Sequence, residues 1–291
     1  MRDQIDMLRV SRASRLAHFK RMTLRLSFGQ LAITIVGASF LAVLVVLPLA
    51  SMFQYASNNG LAVFWNSVTS PEALFSLKFT LIIAVVTTSI NVVMGTAVAF
   101  MLVRHDFPLK SVLDSLVDLP IAIPAAVTGF TLLLLYGPLG IMGRLFEGAG
   151  ITIMFALPGI LIAHVFMTLP YVVRAVGPVL QEVDKSQEEA AKTLGATEVQ
   201  VFARVILPAI RTGLISGSIF TFARSLGEFG ATIMVSGNLA LRTQTAPMFI
   251  FSEFNRGEIE AASSMSVVLV IISLVLFLGL KSVVKIMESG R

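Results

Sequence analysis

The stretch Asp184–Pro208, DKSQEEAAKTLGATEVQVFARVILP, is a charge-dense island between two long apolar segments. Its spacing predicts two short helices joined by a sharp turn. Ser186 followed by Glu189, and Thr197 followed by Gln200, have the S/T-x-x-E/Q spacing in which a cap hydroxyl and the third residue satisfy each other's backbone donors. Gly195 falls just past the first helix, where a left-handed C-terminal residue disfavours any side chain with a Cβ. Ala190, Ala191 and Leu194 give the first helix a small-residue face. Val199, Phe202, Val205 and Ile206 give the second an apolar stripe at helical spacing. Pro208, with no N–H to extend the ladder, is expected to close the motif. Taken alone, the stretch is a polar loop that packs on its own protein or meets another.

The flanking sequence decides where this loop lies. Of 291 residues, 56% are hydrophobic and 13% charged, with a mean hydropathy of +0.86. That is the composition of a membrane protein. Six apolar runs, each near the ~20 residues that cross a bilayer core as a helix, cover 31–53, 77–103, 115–137, 153–176, 210–236 and 262–284. The fold class is therefore all-α and polytopic, with about six transmembrane helices spread over 28–285. A basic tail, 1–27, carries Arg2, Arg9, Arg12, Arg15, Lys20, Arg21 and Arg25. It reads either as an amphipathic helix on the membrane surface or as an unstructured basic tail, and not as a cleaved signal peptide. A short tail, 286–291, ends the chain.

Basic residues orient the spans. With the amino terminus inside, cytoplasmic segments hold 17 of the 22 Lys and Arg residues and the opposite face holds four, while Arg224 lies within a span. This bias places both termini and the Asp184–Pro208 loop in the cytoplasm. The net charge of +5 is thus accounted for at a membrane surface and calls for no nucleic acid. Cysteine is absent, which excludes disulfides and thiolate metal sites. Gly-Lys never occurs, so there is no phosphate-binding loop of the G-x-x-x-x-G-K-[ST] kind. No metal cluster or catalytic triad is apparent, and no cofactor is expected on this chain.

Within the membrane three features stand out. Pro120 and Pro124 open the third span, followed by Thr128 and Gly129. Either they bend a helix that lines a path, or they mark its first turn. In the fifth span, Gly213 and Gly217 form a small-xxx-small pair for close helix approach. Further along it, Arg224 and Glu228 stand four apart, a spacing that places them on one helix face. A charge at mid-membrane costs at least ~2.5–3.5 kcal/mol on insertion scales, so both should face protein. They form a structural ion pair, or they border a path where Arg224 meets an anion. The lone His164 is expected to be a hydrogen-bonded packing residue. Segment 59–76 is expected to be an extracytoplasmic loop with a short helix.

Several of these residues resemble a known family. Glu189-Ala190-Ala191, Gly195 and Val205-Ile206-Leu207-Pro208 are similar in spacing to the EAA loop of ABC importer permeases, with Val205 where isoleucine is common. Ser225-Leu226-Gly227-Glu228-Phe229-Gly230-Ala231 closely resembles the (A/S)-L-G-E-F-G-A signature of sulfate-type permeases. Leu169-Pro170-Tyr171-Val172-Val173-Arg174, Pro178-Val179-Leu180-Gln181-Glu182 and the segment 242–251 extend the likeness over about 78–280. The resemblance is to oxyanion importer permeases of the sulfate/thiosulfate T-subunit type, related to molybdate permeases.

It implies a type I, MetI-like fold in the cytoplasmic (inner) membrane, working by alternating access. It also implies partners: two ATPase subunits that use ATP and magnesium, a second permease subunit, and an extracytoplasmic oxyanion-binding protein. On this likeness Glu188, Glu189, Ala190, Ala191, Leu194, Gly195 and Ala196 dock the ATPase. Pro120, Pro124, Thr128, Arg224, Ser225, Glu228 and Phe229 belong to the path or its ion pair. Arg242, Thr243 and Gln244 meet the binding protein. No residue separates sulfate from molybdate or tungstate. An ion-coupled secondary transporter is the reading from another class. It would need several intramembrane acids or broken segments in matching halves, and only Glu228 is so placed.

Overall fold

The computed structural model describes residues 28–289, so the basic tail 1–27 and the last two residues lie outside the described residues. Contacts divide the chain into two units that meet in sequence between Met52 and Phe53. The first is a helix, α1 (Phe28–Leu41), which runs through one π-helical turn, Ala42–Val46, into α2 (Leu47–Ser57). The stretch Gly29–Ser57 is long and apolar enough to cross a membrane.

Every regular element described in the second unit is helical. In order these are α3 (Leu61–Thr69), α4 (Pro71–Arg104), α5 (Lys110–Ala122), α6 (Ala125–Tyr136), α7 (Ile141–Gly148) and α8 (Leu157–Glu182). There follow α9 (Lys185–Thr193), α10 (Glu198–Val201), a π-helical turn (Phe202–Ile206), α11 (Leu207–Ala209), α12 (Arg211–Leu226), α13 (Gly230–Ser236), α14 (Ala246–Arg256) and α15 (Ile259–Ser289). α3 is the short helix expected within 59–76, and α15 continues five residues past the expected end of its span.

α4, α8 and α12 pack on one another and form the centre. α4 begins with Pro71 in its first turn and Ser70 as its cap, whose Oγ accepts from the Ala73 N–H at 3.3 Å. Its buried face repeats every three or four residues: Ala73, Ser76, Thr80, Ile83, Thr87, Asn91, Gly95, Ala99, Leu102. These are mostly small or hydroxylic side chains, which let backbones approach and hydrogen-bond locally. A Cβ on Gly95 would sit 2.8 Å from the Val172 Cβ. One on Gly213 would lie 2.7 Å from the Ala175 carbonyl oxygen, and one on Gly217 would lie 3.0 Å from the Val172 Cα. The Gly213/Gly217 pair therefore does what its spacing suggests, seating α12 against α8 at backbone distance.

Two expected spans are not single helices. The run 115–137 breaks at Ile123–Pro124, and α5 and α6 meet at 112°. Only Pro124 marks this break, as the cap residue of α6, whereas Pro120 is buried inside α5, which runs on past it. The run 210–236 breaks at Gly227–Phe229, between α12 and α13. Four helices are long and apolar enough to span, and up to six crossings result when the bent pairs Lys110–Ala122 with Ala125–Tyr136 and Glu198–Ala209 with Arg211–Leu226 each count as one.

The second halves of both broken runs pack together, α6 against α13. A Cβ on Gly129 would lie 2.5 Å from the Ala231 carbonyl oxygen, and one on Gly230 would lie 2.8 Å from the Ala125 Cβ. Each break thus sits beside the other.

Gly217→Leu should lower the melting temperature of the detergent-purified protein, because overpacking costs about 1–3 kcal/mol. Gly279→Leu, at a site where a Cβ meets nothing within 4 Å, should leave it unchanged. Equal melting temperatures for the two variants would refute the close approach of α8 and α12.

Candidate functional site

The polar loop is a rigid, fully capped structure. Asp184 caps α9, its Oδ1 accepting from the Ser186 N–H at 2.9 Å. The cap is therefore two residues earlier than the Ser186–Glu189 pattern suggests. That bond holds the Asp184 carboxyl below the usual carboxylate range. Gly195 has φ +85°, its N–H donates to the Lys192 carbonyl at 2.9 Å, and the Ala196 N–H donates to the Ala191 carbonyl at 3.0 Å. This pair of bonds is the Schellman closure that glycine favours. The Thr197–Gln200 capping box is formed in both directions, at 2.9 and 3.3 Å.

Pro208 does not end the motif. The π-helical turn Phe202–Ile206 precedes it, α11 continues through it, and the chain turns by 71° only at Ile210. A π turn lengthens the carbonyl-to-amide reach, so the backbone can pass a residue that has no N–H.

Burial sorts the seven predicted docking residues into two faces. Glu188 turns inward and pairs with Arg104 at the end of α4, at 2.8 Å, with side chains only 13% and 6% exposed. Arg104 also donates to the Val183 carbonyl at 2.9 Å. Ala191 and Ala196 pack against the cluster that contains Leu102, Val176, Leu180, Val201, Ile206 and Ile210. Glu189, Ala190, Leu194 and Gly195 face outward. Leu194 is 88% exposed and nearby Val199 76%. The loop thus turns Ala191 and Ala196 inward and displays a leucine and a valine at its tip.

The second constellation surrounds the α12–α13 break. Glu228 lies beyond the end of α12, not on its face, and is fully buried. One carboxylate oxygen meets Arg224 Nη1 at 2.6 Å, and the other accepts from the Ala231 N–H at 2.8 Å. The expected pair therefore forms through the bend rather than along a helix. Glu228 closes the freed N-terminus of α13 while neutralising Arg224, whose side chain remains 31% exposed. Ser225 is buried, Phe229 lies against Phe251 with tilted rings whose centroids are 5.1 Å apart, and Thr128 is buried on α6. His164 is buried and bonded to Ser225 Oγ at 2.8 Å and Thr232 Oγ1 at 2.9 Å, the packing role expected of it. Pro124 stands at the neighbouring break and Pro120 within α5.

The third group separates. Arg242 is exposed, but Thr243 and Gln244 are buried. Thr243 Oγ1 donates to the Ser236 carbonyl at 2.6 Å, and Gln244 Nε2 donates to Asn238 Oδ1 at 3.0 Å. They brace a loop with positive φ at Gly237, Asn238 and Leu241, their side chains turned into that loop rather than out of it. Arg242 alone of the three is available.

Two clusters escaped sequence reasoning. Arg104–Glu188 spans 84 positions, and its only signal was an Arg ending an apolar run. Arg174 pairs with Asp114 and Asp118, each at 2.7 Å, beside a cleft of about 660 Å³ between α4, α5 and α8. The i,i+4 spacing of the two aspartates was a readable hint.

A bundle of spanning helices with two breaks, and a rigid polar loop displaying an apolar tip, define a multi-pass transport subunit that works with a partner. The chain belongs to the family of inner membrane components of binding-protein-dependent transport systems, whose model matches residues 91–290. It is similar to "Sulfate permease 2, chloroplastic" of Chlamydomonas reinhardtii, 44% identical over 234 residues, which are 80% of this chain. It spans 63% of that relative's length. It is 39% identical over 239 residues to the sulfate transport system permease protein CysT of Synechocystis sp., covering 82% of this chain and 84% of that one. The fold matches that of a bacterial ABC transporter involved in alginate import, with a TM-score of 0.74 at 15% identity over 87% and 94% of the chains. The expected ABC importer permease fold is the one observed.

Arg104→Ala should loosen the loop, since removing one partner of a buried pair costs roughly 3–5 kcal/mol. Limited proteolysis in 184–208 should then accelerate, and an unchanged cleavage rate would show that the pair does not hold the loop. Gly195→Ala should cost about 1–2 kcal/mol from its left-handed backbone and nothing from crowding, because no atom lies within 4 Å of the added Cβ.

Proposed function

We propose that this chain is the membrane permease subunit of an ATP-driven importer that carries sulfate, or thiosulfate, into the cytoplasm by alternating access. The observation that carries the reading is the loop at Glu189, Ala190, Leu194 and Gly195: rigid, capped at both helices, and apolar at its exposed tip. The distribution of basic residues supports a cytoplasmic location for it, with both termini on that side and the whole in the inner membrane. The chain has no nucleotide-binding loop, so the ATP and magnesium are handled by two separate ATPase subunits, one of which docks on this tip. A second permease subunit, homologous or identical, completes the pore. Dependence on a binding protein is the family's own description, and Arg242 is the exposed candidate on the opposite face.

The names of its relatives favour sulfate as cargo. Arg224, partly exposed beside the break, supplies positive charge suited to a tetrahedral dianion. Molybdate and tungstate have the same shape and charge and remain the alternative cargo. Coupling to an ion gradient is disfavoured, because Glu228 is already committed to Arg224 and to the Ala231 N–H and is not free to bind a coupling ion.

Two measurements test this. In cells carrying the complete transporter, labelled sulfate uptake should be inhibited by thiosulfate and more weakly by molybdate and tungstate. Stronger inhibition by molybdate would reassign the cargo. Leu194→Asp should abolish uptake and co-purification of the ATPase, as a charge at a docking tip is costly to desolvate. Normal uptake by that variant would sink the docking role.

A further inference from the structure

The α12–α13 break is held from two sides. Glu228 holds it from within, meeting Arg224 before the gap and the Ala231 N–H after it. His164 holds it from α8, with one ring nitrogen on Ser225 before the gap and the other on Thr232 after it. The ring is buried, and a neutral imidazole has one donor and one acceptor nitrogen, which two hydroxyls can satisfy in either tautomer. The anchor itself is fixed. Thr168 Oγ1 donates to the His164 carbonyl at 2.7 Å, and Asn91 Nδ2 on α4 donates to Thr168 Oγ1 at 2.7 Å. A continuous chain of bonds therefore runs from α4 through α8 to both sides of the gap. Gly227, inside the gap, is exposed, and a Cβ there would meet nothing within 4 Å.

We propose that His164 is a positioning residue for transport: its imidazole staples Ser225 to Thr232 across the helix break, and so fixes the direction in which Arg224 is presented. This rests on reading Arg224 as bordering the anion's route. An apolar side chain would fill the space but free both hydroxyls, and each buried hydrogen bond to a side chain is worth about a factor of ten in an equilibrium. The bend would then sample other angles, and Arg224 with it.

The native chain has no cysteine, so Gly227→Cys provides a unique reporter inside the gap. The complete transporter, with its ATPase and binding protein, would be reconstituted in liposomes. Against that background, His164→Leu should speed maleimide labelling of the reporter severalfold. In the cysteine-free protein it should lower maximal sulfate uptake by about tenfold, with the half-saturating concentration of loaded binding protein little changed. His164→Gln, which keeps a donor and an acceptor, should restore much of both. Adding Ser225→Ala to His164→Leu should cause no further loss.

Wild-type labelling and uptake in His164→Leu, or additive losses in the double variant, would overturn the proposal. Should His164→Leu fail to assemble, Ser225→Ala and Thr232→Val each cut one end of the staple, and unchanged labelling in both would overturn it equally. If Arg224→Ala leaves uptake intact, the route assignment fails, while the labelling rates still decide whether the staple exists.

Discussion

A helix interrupted within a membrane must find protein partners for the backbone groups it frees, because lipid offers none. This constraint shapes the centre of the molecule. At Gly227–Phe229 the ladder stops, and the side chain of Glu228 replaces what the next turn would have supplied, accepting from the Ala231 N–H. A carboxylate so deeply buried is itself expensive, and Arg224 offsets the charge. One interruption thus calls for an acid, the acid calls for a base, and the base is left partly exposed beside the gap. The exposed charge is a by-product of satisfying a broken backbone.

The second interruption follows the same logic with different chemistry. Pro124 has no N–H to satisfy, so the chain can leave α5 and begin α6 at a steep angle without an orphaned donor there. The two second halves then meet through Gly129 and Gly230, where only glycines allow the approach. Neither break would be stable alone on these contacts, and each supplies a wall for the other.

The local chemistry of the polar loop was legible in the sequence. The Thr197–Gln200 box and the left-handed Gly195 follow from short-range rules and are present, whereas the expected face of Ala190, Ala191 and Leu194 splits, with only Ala191 turned inward. What could not be read was which face points inward. Glu188 and Glu189 are adjacent and alike, and only Arg104, 84 positions earlier, decides that Glu188 is buried. The burial of Thr243 and Gln244 was unreadable for a related reason: polar residues in a loop look exposed, but here Ser236, Asn238 and Leu239 of the same loop take up their hydrogen bonds. Apolar runs likewise carry no direction: the segments on the two sides of Pro124 together pass as one span, so hydropathy alone does not show the 112° bend between them. Pro124 was the readable sign of that bend.

The π-helical turn at Phe202–Ile206 carries one residue more than an α-helical turn would. It lies between the loop's exposed tip and α12, so it acts as a phase setting. Removing one residue there would restore α geometry and rotate everything before it by about 100°, swinging Leu194 away from the direction it now faces. A single deletion in this turn would therefore redirect the loop's exposed tip without altering any residue on the tip itself.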